Sequence, residues 1–296
     1  MPFILEEVLK ASDIPTDLKP HVVYQEVIEG LRAPLVFASA CTIDRSLIGH
    51  SGTKVSVPVA SQLTASTITE ASLTDSGYSK NDKTITDVDV TIGNEVYAAL
   101  YLSDILMEDV PNIDWVRLNV RNMAKAVLEY QDGAVRDVMI AGAGNSVAAA
   151  TFGTLDYDDL VDAVATMEGS DLFPEEPAAP FWLIVNPNNA KDIVKDTRFT
   201  DTKRYALHNI PFPAGDVGGL TCGCRVFKTS QMTAGLALIV APPNHSQAPF
   251  VIKAIKRPLT LKTERREQFG KQMWVTSMRY GSAVIQSTGV YLITGC

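Results

Sequence analysis

The sequence predicts an α+β fold in which strands and helices mix irregularly. Three observations carry this. One stripe of apolar residues at helical spacing runs through residues 113–141, far longer than any other periodic segment. A run of strict alternation at 54–59 and a second alternating run with a phase slip at 85–92 flank a stretch rich in Ser and Thr. Several short strand patterns crowd the C-terminal region without helices between them, where a regular βαβ winding would alternate the two. At 296 residues the chain exceeds the roughly 100–200 residues of one core, so two intimately packed subdomains are expected.

Composition excludes several classes. Hydrophobic residues make up 46% and charged residues 20%, the range of an ordinary globular protein and far from disorder. The 34 acidic and 26 basic residues give a net charge of −8, which disfavours a protein that coats itself directly onto nucleic acid. The opening MPFILEEVLK carries two glutamates where a secretory signal needs a basic region, and no apolar run reaches the ~18–20 residues of a membrane span. Synthesis and assembly in the cytosol, without a membrane partner, are the expectation. Cys41, Cys222, Cys224 and Cys296 are too scattered for a disulfide framework and are read as reduced thiols.

Residues 1–20 hold three prolines and no sustained periodicity, so they read as an arm that packs on something else. A short helix is predicted for 21–31, ended by Arg32-Ala33-Pro34 because proline disfavours helix in its predecessor. In the first alternating run Val55, Val57 and Val59 share a face, and Pro58 marks an edge or unpaired strand. In the second, Ile85 is out of phase with Val88, Val90 and Ile92, which suggests a bulge near Asp87. Residues 60–83 between them form a polar tip. A two-stranded ribbon with so little apolar surface is marginal in water, so it is expected to lie on a neighbouring molecule.

The long helix has Val116, Val120, Met123, Val127, Val135 and Val138 on one stripe. At ~1.5 Å per residue it spans about 40 Å, enough for a spine across a subunit. Gly142-Ala143-Gly144 stops it. Asp156 to Asp159 favour a helix start, with Leu160, Val161, Val164 and Met167 as its apolar face. Residues 174–180 read as a loop and 181–185 as a fully buried strand. Asn186 then caps a helix that has Pro187 at its first position. Residues 197–220 are too rich in Pro and Gly for regular structure, and strands follow at 225–228, 236–240, 251–255, 259–262, 274–280 and 290–294.

No catalytic constellation emerges. The pair Cys222-Gly223-Cys224 lacks the two further ligands of a tetrahedral metal centre. His21, His50, His208 and His245 stand apart, and each reads as a surface or packing residue. Gly142-Ala143-Gly144 has no following lysine and opens no phosphate-binding helix. Asp156, Asp158 and Asp159 lack the glycine and glutamate of a calcium loop, so helix capping explains them better. No catalytic, cofactor or metal residue is assigned. Glu264-Arg265-Arg266-Glu267 reads either as a solvated face or as an ion-pair site between subunits.

The order arm, long polar hairpin, spine helix, mixed compact region and returning strands resembles that of tailed-virus major capsid proteins, whose shared fold is the Hong Kong ninety-seven type. Local stretches resemble it too: 52–58 opening an extended loop, 97–109 leading into the spine, and GLTCGCRVFKTSQMTAGLAL at 219–238. The resemblance implies an arm with its short helix over 1–34, a connection over 35–52, the extended loop over 53–96 and a peripheral domain over 97–153. An axial domain over 154–245 and returning strands of both domains over 246–296 complete it.

It further implies a shell protein and no enzyme, tiling as hexamers and pentamers around double-stranded DNA that it does not read. A virion location after assembly in the host cytoplasm follows. No long charged extension precedes the arm, so a separate scaffolding protein, or none, is implied, along with possible portal and decoration proteins. Glu70, Lys80 and Asp82 in the loop tip and Glu264, Arg265, Arg266 and Glu267 are the expected contacts between subunits. Two other readings stay open: an encapsulin-like cargo compartment of the same fold, and a monomeric enzyme or binding module.

Overall fold

The fold is that of a computed structural model, which describes residues 35–60, 85–104, 113–175, 179–195, 220–221 and 223–296. The expected arm and helix before Leu35, the loop tip with Glu70, Lys80 and Asp82, the 105–109 stretch and the irregular segment 197–219 lie outside the described residues.

A 3-10 turn, Phe37–Ser39, leads into β1 (Thr42–Asp44), followed by β2 (Lys54–Ala60), β3 (Ile85–Thr91) and β4 (Glu95–Ser103). The spine α1 (Ile113–Ala141) comes next, with the limits its periodicity predicts. Then follow β5 (Asn145–Ala148), α2 (Tyr157–Glu168), β6 (Phe181–Val185), α3 (Pro187–Lys195), β7 (Leu220–Thr221), β8 (Cys224–Lys228) and β9 (Leu236–Val240). Two long strands, β10 (Val251–Arg266) and β11 (Lys271–Val284), and β12 (Val290–Thr294) close the chain.

Two mixed sheets result. The first runs β1-β10-β11-β4 and the second β5-β12-β9-β6-β8-β7. Parallel pairs (β1 with β10, β5 with β12, β6 with β8) sit among antiparallel ones, which is the α+β class expected. The two strands predicted at 251–255 and 259–262 are one strand, β10. Register shifts at Ile255/Arg257 and Arg257/Thr260 absorb Pro258, which has no N–H for the ladder, so the chain bulges there instead of stopping.

The main core joins the six-stranded sheet to α2, α3, the last turns of α1 and the segment 36–41. β6 lies central in that sheet, and Phe181, Leu183, Ile184 and Val185 are fully buried. Asn186 Oδ1 accepts the Asn188 N–H at 3.1 Å, the cap the sequence predicts for α3. In α2, Leu160, Val164 and Met167 are buried with Ala163, whereas Val161 faces out. Along α1, Met123, Val127, Val135 and Met139 are buried and Val120 and Val138 half-buried, while the side chain of Val116 lies outside the described residues. Gly142 ends α1 where a Cβ would stand 2.5 Å from Val284, so close packing favours glycine there.

Candidate assembly surfaces

The β2–β3 ribbon is a sheet of its own, paired without a break from Lys54↔Thr91 to Ala60↔Ile85. The bulge expected near Asp87 is absent. Ile85 falls out of phase because its side chain points away from the valine face, opposite Ala60, and is 63% exposed. On the other face, Val90 and Ile92 are buried against Ile252, Ala254 and Ile285 of the body. Val55, Val57, Val59 and Val88 stay only half-buried. The outer face is polar: Asp89 accepts from Ser56 Oγ at 2.5 Å and pairs with Lys54 at 2.9 Å. These donors, the hydroxyl first, hold the Asp89 carboxyl below the usual range.

In the four-stranded sheet one face packs on α1 through Met278, Tyr280 and Val127. The other carries Tyr97 opposite Ser277 and Tyr101 opposite Met273, with Tyr97 65% exposed. At the far end of the β10–β11 hairpin lie the predicted charges. Arg265 pairs with Asp104 at 3.2 Å and approaches Glu267 at 3.9 Å, Arg266 lies over the Tyr101 ring, and Glu264 is exposed. Lys271 sits between the Tyr101 and Phe269 rings, 4.4 and 5.1 Å from their centres. The hairpin end thus satisfies part of its charge internally and presents the rest, with Phe269, outward.

Between the spine and the chain's entry into the body lies a buried polar seam that the sequence analysis missed. Asp132, fully buried in α1, accepts the N–H groups of Ala38 at 2.6 Å and Val36 at 3.2 Å. It thereby caps the 3-10 turn from another element. Lys253 of β10, also buried, donates to the Ala38 carbonyl at 3.2 Å. Burial raises the Asp132 carboxyl above its ordinary range and lowers the Lys253 amine, and each charge opposes the shift of the other. Burial also pushes the neighbouring Cys41 thiol up to about 12. The available signal was a charge four residues after Leu128 and three before Val135, in phase with the apolar stripe.

The acidic start of α2 is a cap. Asp159 accepts from Asp156 N–H at 3.0 Å and from Ala150 N–H at 2.8 Å, which explains these carboxylates without a cation. Among the described residues, no three His, Cys, Asp or Glu gather as a metal site. His245 is buried between Phe181 and Phe250. Its Nε2 lies 2.9 Å from the Phe173 carbonyl and its Nδ1 accepts the Gln247 N–H, a packing role that ties two loops. His50 is exposed, and His21 and His208 lie outside the described residues. An open cleft of about 530 Å³ separates Val59 and Ala60 of the ribbon from Asp171, Gln247 and Ser287.

Comparison with known proteins agrees with this geometry. A family described as phage capsid protein matches residues 98–293. No curated protein sequence matches the chain. A structure from Mycobacterium phage Che8 superposes with TM-score 0.70 at 19% identity, covering 93% of this chain and 96% of that one. The capsid of Cyanophage P-SCSP1u gives 0.71 at 13% identity, over 92% and 91%. A virus-like particle from Pyrococcus furiosus gives 0.55 at 12% identity, over 86% and 90%. The expected Hong Kong ninety-seven-type fold is therefore present, and the matched family spans the spine, both sheets and the core strands: the chain belongs to the phage capsid proteins and is a major capsid protein that builds a shell from copies of itself.

Proposed function

We propose that the chain tiles as hexamers and pentamers into an icosahedral head enclosing double-stranded DNA, without contacts that read base sequence and without a catalytic step. The observation that carries this is the ribbon. Its valine face is patterned for burial yet only half-covered by its own chain, so an adjoining copy supplies the rest. A net charge of −8 suits a wall that encloses DNA over one that binds it tightly.

In this reading 53–96 is the extended loop, 97–153 the peripheral domain and 154–245 the axial domain, with 246–296 serving both. Glu264, Arg265, Arg266 and Glu267 meet an adjoining copy at the end of the hairpin, and Glu70, Lys80 and Asp82 do so at the loop tip. Each such polar contact contributes roughly 0.5–1.5 kcal/mol, weak enough for a misplaced subunit to leave during growth. Assembly takes place in the host cytoplasm, with scaffolding, portal and decoration proteins as further partners.

Deletion of residues 62–82 tests the reading. It leaves a soluble, folded subunit or capsomer that no longer closes shells. Shells of normal diameter by negative-stain microscopy would refute it. The alternative is a cargo compartment of the same fold. Neighbouring terminase, portal and protease genes favour the virus, and a peroxidase or ferritin-like gene favours the compartment.

A further inference from the structure

Gly52 and Gly93 flank the two strands of the ribbon where they leave the body, a placement that suggests a pair of hinges. The contacts at that root describe a locked joint instead. Gly93 N–H donates to the Tyr280 carbonyl at 3.0 Å, and the Gly93 carbonyl accepts from Arg279 Nε at 3.0 Å, so both backbone polar groups of this residue are held by β11. Lys256 Nζ donates to the Gly52 carbonyl, and Ile92 N–H donates to the Thr53 carbonyl at 2.8 Å. The ribbon crosses β11 at Gly281, where a Cβ would stand 2.1 Å from the Thr91 oxygen. Only glycine lets the two backbones approach this closely. Val90 and Ile92, buried beneath the crossing, complete the anchorage.

The ladder beyond the root is different. Because Ile92 donates to Thr53, the pairs that exchange hydrogen bonds are 53/92, 55/90, 57/88 and 59/86, and Pro58 opposite Asp87 falls in a pair that exchanges none. Pro58 therefore costs the ribbon no bond. Its missing N–H lies on the outer edge of β2, which it blocks against a further strand. Beyond Val57 and Val88 the described part of the ribbon is exposed except for Val59, which is half-buried against the body.

We infer that Arg279 and Gly281 are positioning residues that fix the direction in which the ribbon leaves the subunit, so that adjustment to non-equivalent neighbours occurs beyond Val57 and Val88 and not at the root. The inference rests on the shell reading above for its consequence and on the subunit alone for its geometry.

Hydrogen exchange and electron cryo-microscopy of the full-length protein test both parts. In the unassembled subunit the Ile92 and Gly93 amides are expected to exchange at least roughly 100-fold more slowly than in the unfolded chain. Arg279→Ala speeds Gly93 by about tenfold, the scale of one lost hydrogen bond, while Arg279→Lys retains a donor and most of the protection. In assembled shells, independent copies superpose at 52–55 and 90–93 on β11 and diverge farther out. Arg279→Ala shells vary more in diameter than wild type at temperatures where the subunit remains folded. Rapid exchange at Gly93, or copies in which the root rotates on β11 while the ladder stays straight, overturns the inference. Failure of the wild-type chain to form shells sinks the proposed function instead, and the exchange measurement still decides the joint.

Discussion

Asp132→Ala is the substitution in which the seam declares its worth. Asp132 accepts two N–H groups from a segment almost a hundred residues earlier, one from buried Val36 and one from half-buried Ala38. Hydrogen bonds to a charged acceptor contribute roughly 1.5–3 kcal/mol each. Alanine removes both and leaves one buried and one half-buried donor without this acceptor, but it also removes a carboxylate whose desolvation is a cost in the wild type. The balance is a loss of about 2–4 kcal/mol, a large share of a typical domain's stability. Urea unfolding of the unassembled subunit at neutral pH, followed by tryptophan fluorescence, measures it. A loss under about 0.5 kcal/mol, the range of an ordinary surface change, would refute the reasoning.

Asp132→Asn supplies the sign test. It keeps one acceptor but turns an amide donor toward the other N–H, so a smaller loss is expected. The folded carboxyl holds its proton more tightly than the unfolded one, so its stabilising contribution is full below the unfolded value of 3.8 and declines as pH rises through the raised folded value. Asparagine does not ionise. The wild type should therefore lose ground to Asp132→Asn as pH rises through that window, and the opposite slope would mean that Lys253 more than offsets the burial.

Two further outcomes follow from the electrostatics. Asp89, held low by Ser56 and Lys54, contributes to the ribbon above its unfolded pKa and loses that contribution as pH falls through its lowered folded value. A carboxyl NMR titration should place its midpoint below 3.8 and show it return upward in Ser56→Ala, whereas an unmoved midpoint would separate Asp89 from the hydroxyl. Cys41 and Cys296, pushed up to about 12 and about 11, should react with iodoacetamide at pH 8 at least roughly 100-fold more slowly than in urea. Peptide mapping reads the two sites separately, and rapid labelling of either in the folded subunit would contradict the burial.

What the sequence made legible was local. The limits of α1 follow from an apolar stripe that ends at Gly142, and the start of α3 from Asn186 and Pro187, because each signal lies within a turn of the structure it sets. The strands β1 and β5 escaped because their partners, β10 and β12, lie far along the chain, and three or four residues of mixed polarity carry no period of their own. The same distance hid Asp132, whose donors belong to a segment with no apparent relation to the helix. At Asp87 a phase slip was read as a bulge, although an exposed isoleucine gives the same pattern. At Pro258 two separate strand patterns, 251–255 and 259–262, proved to be one strand, because a bulge lets it continue through the proline.

These failures differ in kind from the disagreement at the ribbon, where pattern and burial part company along a whole face. In β6 an apolar run and full burial coincide, so that strand needs nothing outside the chain. In β2 and β3 the alternation is just as regular, yet four of its valines remain half-covered beside an open cleft, and Tyr97 stands two-thirds exposed on a second sheet face. Alternation that strict is a pattern for a buried face, and a chain that leaves it open has the missing layer elsewhere. On the proposed shell reading, that layer is another subunit. The locked root then has a mechanical purpose, since a ribbon can deliver its valines to a fixed place on a neighbour only if the body sets its direction first.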